Sequence, residues 1–376
     1  MIRLRKGVVT RLVAARPGLV EVAVEVEGEE RLAVVYPELT GPVAAGDRVT
    51  LNTTATALRL GSGGYDFVVA VEGERSTDPA PGGHLMKLRY TPLQVKVCSV
   101  EEEESPYRAA LSACDSLQGL PVVVGTLHSQ LAPVCLAVRH FAGDGCRVVY
   151  VMTDGGALPL AWSQTVDRLR QEGLLAAAVT VGNAFGGDFE AVNKFSGLLA
   201  AKAAARAGVA VVTMGPGIVG TATTWGHTGL EQGEWVNAVN VLGGRAIAVP
   251  RLSFADSRPR QRGVSHHFLT ALARVARTPA VIPVPRLSGR EEETVRRRLE
   301  EAFASPDSPP HVLVPVEISF FAELLRGREW AARSMGRTYA DDPAAFLGAA
   351  AAGRLAAELW LERQAPSDPA PKRAGS

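Results

Sequence analysis

From residue 93 onward, short apolar runs alternate with longer stretches of helical periodicity, and this alternation constrains the fold more than any other feature. The runs fall at residues 95–100, 121–126, 147–152, 176–181, 209–214, 245–250, 280–284 and 312–316. Most are β-branched and almost continuous, as strands buried on both faces require. Between them, residues 190–207 and 291–303 carry the clearest helical patterns. Such alternation predicts a parallel sheet covered by helices. Eight β/α units fit two architectures. We favour an open, doubly wound, Rossmann-like parallel sheet; the alternative is a closed eight-stranded β/α barrel.

The preceding segment reads differently. Residues 20–26 (VEVAVEV) alternate with period two, and turns rich in glycine separate them from 31–36, 49–51 and 67–71. Short strands with frequent turns predict a small all-β, barrel-like domain over residues 1–80, with 78–83 as linker. The α/β domain then covers 93–362, and residues 363–376, rich in Pro, Ala and Ser, are expected to be a disordered tail.

Composition narrows the function classes. Hydrophobic residues make up 47% of the 376, which excludes a disordered chain and suits two packed domains. Lys plus Arg number 40 and Asp plus Glu 39, without the basic excess that phosphate neutralisation demands, so no nucleic-acid partner is expected. Cys98, Cys114, Cys135 and Cys146 form no CxxC pair, which argues for free thiols over structural zinc. The first residues lack a signal-peptide core, and the apolar stretch 344–359 is short and interrupted by Arg354 and Glu358. No membrane partner is therefore expected, and the expected compartment is the cytoplasm.

Both architectures bind ligands at the carboxyl ends of their parallel strands. The stretches that follow the runs hold His128, then Asp154, then Asn183 and Asp188, then Gly215, Gly217 and Gly220, then Arg251 and Asp256. The turns at the opposite ends, such as 173–175 and 206–208, are plainer. This asymmetry predicts a small-molecule site among the first set of loops.

Gly215, Gly217 and Gly220 spell G-x-G-x-x-G directly after a run, as in a dinucleotide fingerprint. The context fits poorly, because 221–229 contains Gly226 and Gly229 and reads as loop where a helix should start. A loop whose N–H groups cradle a phosphate or carboxylate is the broader reading, beside a tight turn that simply needs glycine dihedrals. Arg258, Arg260 and Arg262 precede Ser265, His266 and His267. Ser265 suits an N-cap for a helix reaching residue 276, with Arg262 placed to clamp an anion. Neighbouring helical residues point apart, so only one of the two histidines, taken as His266, is expected to reach a ligand.

Asp154, Asp188, Glu190, His128, His227 and Asp256 would together suit magnesium, manganese or zinc, but no H-x-x-x-H or D-x-D spacing supports a divalent metal. Helix capping accounts equally for Asp188 and Glu190. No G-x-S-x-G elbow marks a serine nucleophile.

Four longer phrases, GHLMKLRYTPLQ (83–94), AFGGDFEAVN (184–193), GPGIVGTAT (215–223) and GVSHHFLTAL (263–272), carry a resemblance. The chain resembles the bacterial family known as domain of unknown function 3866, from the β domain to about residue 361. The resemblance implies no reaction, cofactor or catalytic residue. Glycine is expected at position 222, where this chain has Ala222, so a positive φ is not expected there.

Two functions follow. In the first, the protein is an enzyme for a small anionic metabolite. Asp154, Asp188 and His227 are then its acid–base or metal groups, and His128, Asn183, Gly215, Gly217, Gly220, Arg251, Arg262 and His266 bind the ligand. In the second, it is a non-catalytic sensor or scaffold whose β domain binds a partner. The cofactor is left unnamed, and a homo-oligomer stays open. An enzyme should gather His128, Asp154, Asp188, His227 and His266 around one cleft.

Overall fold

The computed structural model describes residues 1–73 and 78–365. Its first element, β1 (Leu4–Arg16), is followed by β2 (Leu19–Val26), β3 (Glu29–Val35), β4 (Arg48–Asn52) and β5 (Asp66–Val71), which close into a barrel in the order β1-β2-β3-β5-β4. Register shifts at Val9/Arg11 and Leu12/Ala14 bend β1 enough to pair with both β2 and β4. Val9, Val22, Val24 and Leu51 fill the interior. Gly7 allows the close approach of β1, since a Cβ there would lie 2.6 Å from Val24 Cγ1.

A hairpin of β6 (Leu85–Lys87) and β7 (Val95–Val97) joins the two domains. The run at 95–100 is therefore not a sheet strand, which corrects that expectation. The sheet proper comprises β8 (Pro121–Val124), β9 (Val148–Met152), β10 (Ala177–Val181), β11 (Phe189–Ala191), β12 (Val209–Thr213) and β13 (Arg245–Ala248). After the small pair β14 (Leu252–Ser253) and β15 (Gly263–Val264) come its last members, β16 (Val281–Pro285) and β17 (Val312–Val316). All its pairings are parallel, and the order is β11-β10-β9-β12-β8-β13-β16-β17. With edges at β11 and β17 the sheet is open, so the closed β/α barrel does not form.

Helices cover both faces. α1 (Leu131–Ala142), α2 (Gln164–Gln171) and the last helix lie on one side, where Leu131, Leu169 and Phe346 pack on Val123, Tyr150 and Val211. α3 (Lys194–Ala203), α4 (Glu231–Val241), α5 (His266–Thr270) and α6 (Arg290–Phe303) lie on the other, where Leu198, Trp235, Phe268 and Leu299 join one cluster with Val122, Val124 and Val212. The helical pattern expected from residue 190 starts later than predicted. Phe189–Ala191 is an edge strand, and Asn193 caps α3 by accepting from Phe195 and Ser196 N–H. The final helix, α7 (Ala344–Gln364), runs two residues into the expected tail, and residues 366–376 lie outside the described residues. By length and composition α7 is long and apolar enough to cross a membrane, contrary to expectation, yet 72% of its apolar window is buried in the fold.

Strand order positions the loops. β12 inserts between β8 and β9, so β8 connects past it to β9 while β12 connects past β8 to β13. The chain thus departs in opposite directions from neighbouring strands, which opens crevices at their carboxyl ends. The barrel sits beside this end. Arg16 Nε donates to Ala161 O at 3.0 Å, and the rings of Tyr65 and Phe67 meet Trp162 at 6.1 and 5.6 Å.

Candidate functional site

The carboxyl ends of β8, β12 and β13 hold the polar cluster that this topology exposes. His227 lies at the end of the long loop after β12, and His266 and His267 open α5, with Ser265 as N-cap accepting from His267 N–H. The His227 and His267 rings stack at 3.9 Å with 10° between their planes, and His266 meets them at 5.7 and 4.3 Å. One nitrogen from each ring falls within 4.8 Å of the others. The expectation that only one of the adjacent histidines would reach the site is corrected. His227 lies within reach of both, so the angular separation on the first helical turn does not part them.

Arg251, buried just past β13, donates from Nη1 to His267 Nδ1 at 3.0 Å. Burial, then His227 and Arg251, hold His267 down at about 3. Burial and His266 lower His227, and burial and Arg260 lower His266. All three imidazoles are therefore neutral near pH 7. Arg251 is itself lowered to about 10, first by burial, and stays charged.

Unsatisfied atoms are concentrated in the segments that end at these strands. Thr126 Oγ1, both ring nitrogens of His227, Gln232 Oε1 and His266 Nε2 are buried without a hydrogen-bond partner, five of the seven such side-chain atoms among the described residues. Gln232 Nε2 donates to Val124 O (2.8 Å) and Val249 O (3.1 Å), which fixes this side chain between β8 and β13. Thr126 and His227 meet across Gly229, where a Cβ would stand 3.5 Å from Thr126 Cγ2 and 3.3 Å from His227 Nδ1. Each such atom costs about 1–3 kcal/mol, so a cluster of them marks a place shaped for something other than stability.

Two strand gaps away, about 10 Å at the ordinary spacing, Glu231 opens α4 in the β9/β12 crevice. Its Oε1 accepts from Thr153 Oγ1 at 2.8 Å. Burial raises this carboxyl to about 7, against the Thr153 hydrogen bond. The sequence reading missed Glu231, Gln232 and Thr126. An acid at the first helical position after a long loop looks like ordinary dipole compensation.

The other expected residues separate. Asp154 Oδ1 accepts from Asn183 N–H at 2.7 Å, and Asn183 Oδ1 accepts from Leu88 N–H, so both stitch loops together. Asp188 does not reach the crevice. The loop 182–188 doubles back along β10, leaving Asp188 to accept from Ala178 N–H (2.7 Å) and pair with Arg170. Glu190 is buried against Lys87 Nζ at 3.2 Å, and Asp256 pairs with Arg258 and Arg337. The six-residue metal set therefore does not assemble. Arg262 is exposed, and its carbonyl accepts from Arg298.

His128 Nε2 meets Ser163 Oγ at 2.6 Å and Nδ1 meets Tyr150 OH at 3.3 Å. Ser163 Oγ also caps α2, and burial lowers His128 to about 4, so the pair is a structural relay and a poor nucleophile–base couple. Gly220 borders the crevice so closely that a Cβ would lie 3.1 Å from His267 Cε1, whereas Gly215 faces Leu158 and Met152 on the β9 side and Gly217 adopts φ 110°. The loop stays irregular to residue 227, as the poor match to a dinucleotide fingerprint requires. Ala222 takes φ 69°, contrary to expectation, in an exposed turn closed by Thr221 N–H to Gly226 O.

No curated protein matches the chain. The family described as Protein of unknown function (DUF3866) matches residues 32–353, from the third barrel strand into α7 and across every residue of the histidine crevice, and the chain belongs to that family.

Proposed function

We propose that the protein is an enzyme acting on a small anionic metabolite in the crevice at the carboxyl ends of β8, β12 and β13, within a sheet read as doubly wound. The observation that carries this reading is the cluster of three histidine rings beside Arg251, in which both nitrogens of His227 and Nε2 of His266 are buried without a hydrogen-bond partner. Neutral imidazoles offer lone pairs, and Arg251 offers charge for a carboxylate or phosphate. The barrel is closed, and its loops meet the α/β domain. Its strand order, with β3 and β5 parallel, is that of an OB barrel, whose β1–β2 and β4–β5 loops ordinarily bind ligands. Here Arg16, Gly18 and Tyr65 of those regions face Ala161 and Trp162 of the α/β domain.

The test is a thermal-shift panel of phosphates and carboxylates, run on chelator-treated protein and again with Zn²⁺ present. At a hundred times its dissociation constant a ligand adds roughly 2.7 kcal/mol. A hit that disappears in Arg251→Gln supports the reading. No shift in either condition, or one indifferent to Arg251→Gln, overturns it.

A further inference from the structure

The geometry points to a transition-metal site: we propose that His227, His266 and His267 bind one Zn²⁺-class dication, whose open fourth position takes the anion that Arg251 then holds. This inference rests on the crevice being the functional site.

Three features of the cluster lead there. It contains three imidazoles and no carboxylate, a donor set that suits zinc, copper, nickel or iron and not magnesium or calcium. Its nitrogens lie within 4.8 Å, against about 3.3 Å for three ligands at zinc–nitrogen distances of about 2.0–2.1 Å, so closure needs movements on the order of an ångström. His227 is 6% exposed and has no hydrogen bond on either nitrogen, and His266 Nε2 has none.

The stack of His227 on His267 must open first. A metal lies in the plane of each ring that ligates it, and two rings 3.9 Å apart with planes 10° from parallel share no such point within bonding reach. His227 can turn, because at most a weak contact with the Thr224 backbone holds its ring and the outer torsion of histidine is broad.

Arg251 supplies the coupling. A neutral His267 that accepts from Arg251 at Nδ1 carries its own hydrogen on Nε2. If the metal takes Nδ1, the guanidinium is displaced. If it takes Nε2, the ring hydrogen moves to Nδ1, which can no longer accept. Either way the metal frees Arg251, leaving its charge beside a dication and opposed by Asp256 alone, which Arg258 and Arg337 already share. An anion neutralises both, so metal and anion tighten each other reciprocally.

The experiment is a Co²⁺ titration of the chelator-treated full chain, followed by visible absorption, with Zn²⁺ calorimetry in parallel. We expect one ion per chain, the d–d bands of a tetrahedral nitrogen-rich site, and displacement of Co²⁺ by Zn²⁺. His227→Leu and His266→Ala should each weaken binding at least about a hundredfold. His227→Leu should keep or raise the melting temperature, because it removes two unsatisfied nitrogens. Arg251→Gln should bind Zn²⁺ as tightly as the wild type or more tightly, and lose the mutual enhancement with inorganic phosphate. Absence of Co²⁺ bands, or binding that survives His227→Leu, overturns the proposal. If phosphate or a carboxylate still shifts the metal-free protein through Arg251, the metal alone is wrong and the anion site stands. If neither ion nor anion binds, both fail.

Discussion

Replacing Glu231 by glutamine should make the protein more stable, and only above a defined pH. The carboxyl is buried in the β9/β12 crevice with Thr153 as its donor, Asp154 and Glu234 raising its pKa and Lys194 lowering it. These surroundings move it from an ordinary 4.5 to about 7. At 1.36 kcal/mol per pH unit that displacement is worth about 3 kcal/mol. The folded state keeps its proton up to about pH 7, whereas the unfolded chain loses it near 4.5. Between those values the unfolded state binds fewer protons, so wild-type stability falls as pH rises and levels off above the folded pKa. The Glu231→Gln side chain has no proton to lose. The variant should match the wild type near pH 4.5 and exceed it by up to about 3 kcal/mol at pH 8, roughly 6 °C for a domain of this size. Melting temperatures of both proteins across that range, read as a difference, cancel every other titrating group. A difference that stays flat with pH, or a variant less stable at pH 8, would refute the assignment of a raised pKa to Glu231.

Removing one partner of the buried Lys87–Glu190 pair by Lys87→Met should cost about 3–5 kcal/mol in urea denaturation, and adding Glu190→Gln should recover part of the loss. Asp188→Asn should cost about 1–2 kcal/mol, because Asp188 holds Ala178 N–H and Arg170, and should leave ligand affinity unchanged in the thermal-shift assay. Gly220→Ala puts a Cβ 3.1 Å from His267 Cε1 without backbone strain. It should weaken metal or anion binding on the order of tenfold with little change in melting temperature, as small displacements of positioned groups do.

Much of the scaffold was legible. Seven apolar runs became strands of the sheet, because continuous β-branched segments between helical patterns have few other solutions. The eighth strand was hidden, since Phe189–Ala191 is three residues long and abuts a true helix. The barrel was readable from the alternation in 20–26, whereas closure depended on the bends in β1, which no periodicity reveals. For the site, His227, His266, Arg251 and Gly220 do meet at the strand ends where ligand loops were expected. Asp188 was misplaced because loop direction is set by tertiary pairing: residues 182–188 run backwards along β10, out of the crevice, while the Arg262 side chain is exposed. Thr126, Gln232 and Glu231 carry no motif. They matter because β12 lies between β8 and β9, an order that sequence adjacency does not disclose.

The position of α7 bears on how such a chain is made. This helix packs on α1 and on the middle of the sheet, yet the ribosome produces it only after all eight strands. At 5–20 residues per second, the segment from residue 317 to 364 takes on the order of 2–10 s to synthesise. During that interval Val123, Tyr150 and Val211 have no cover from α7. The nascent domain thus presents a greasy slab to its surroundings. The piece that will seal it is itself apolar enough to be mistaken for a membrane segment. A premature stop codon before residue 344 should therefore yield inclusion bodies instead of a shortened, soluble protein.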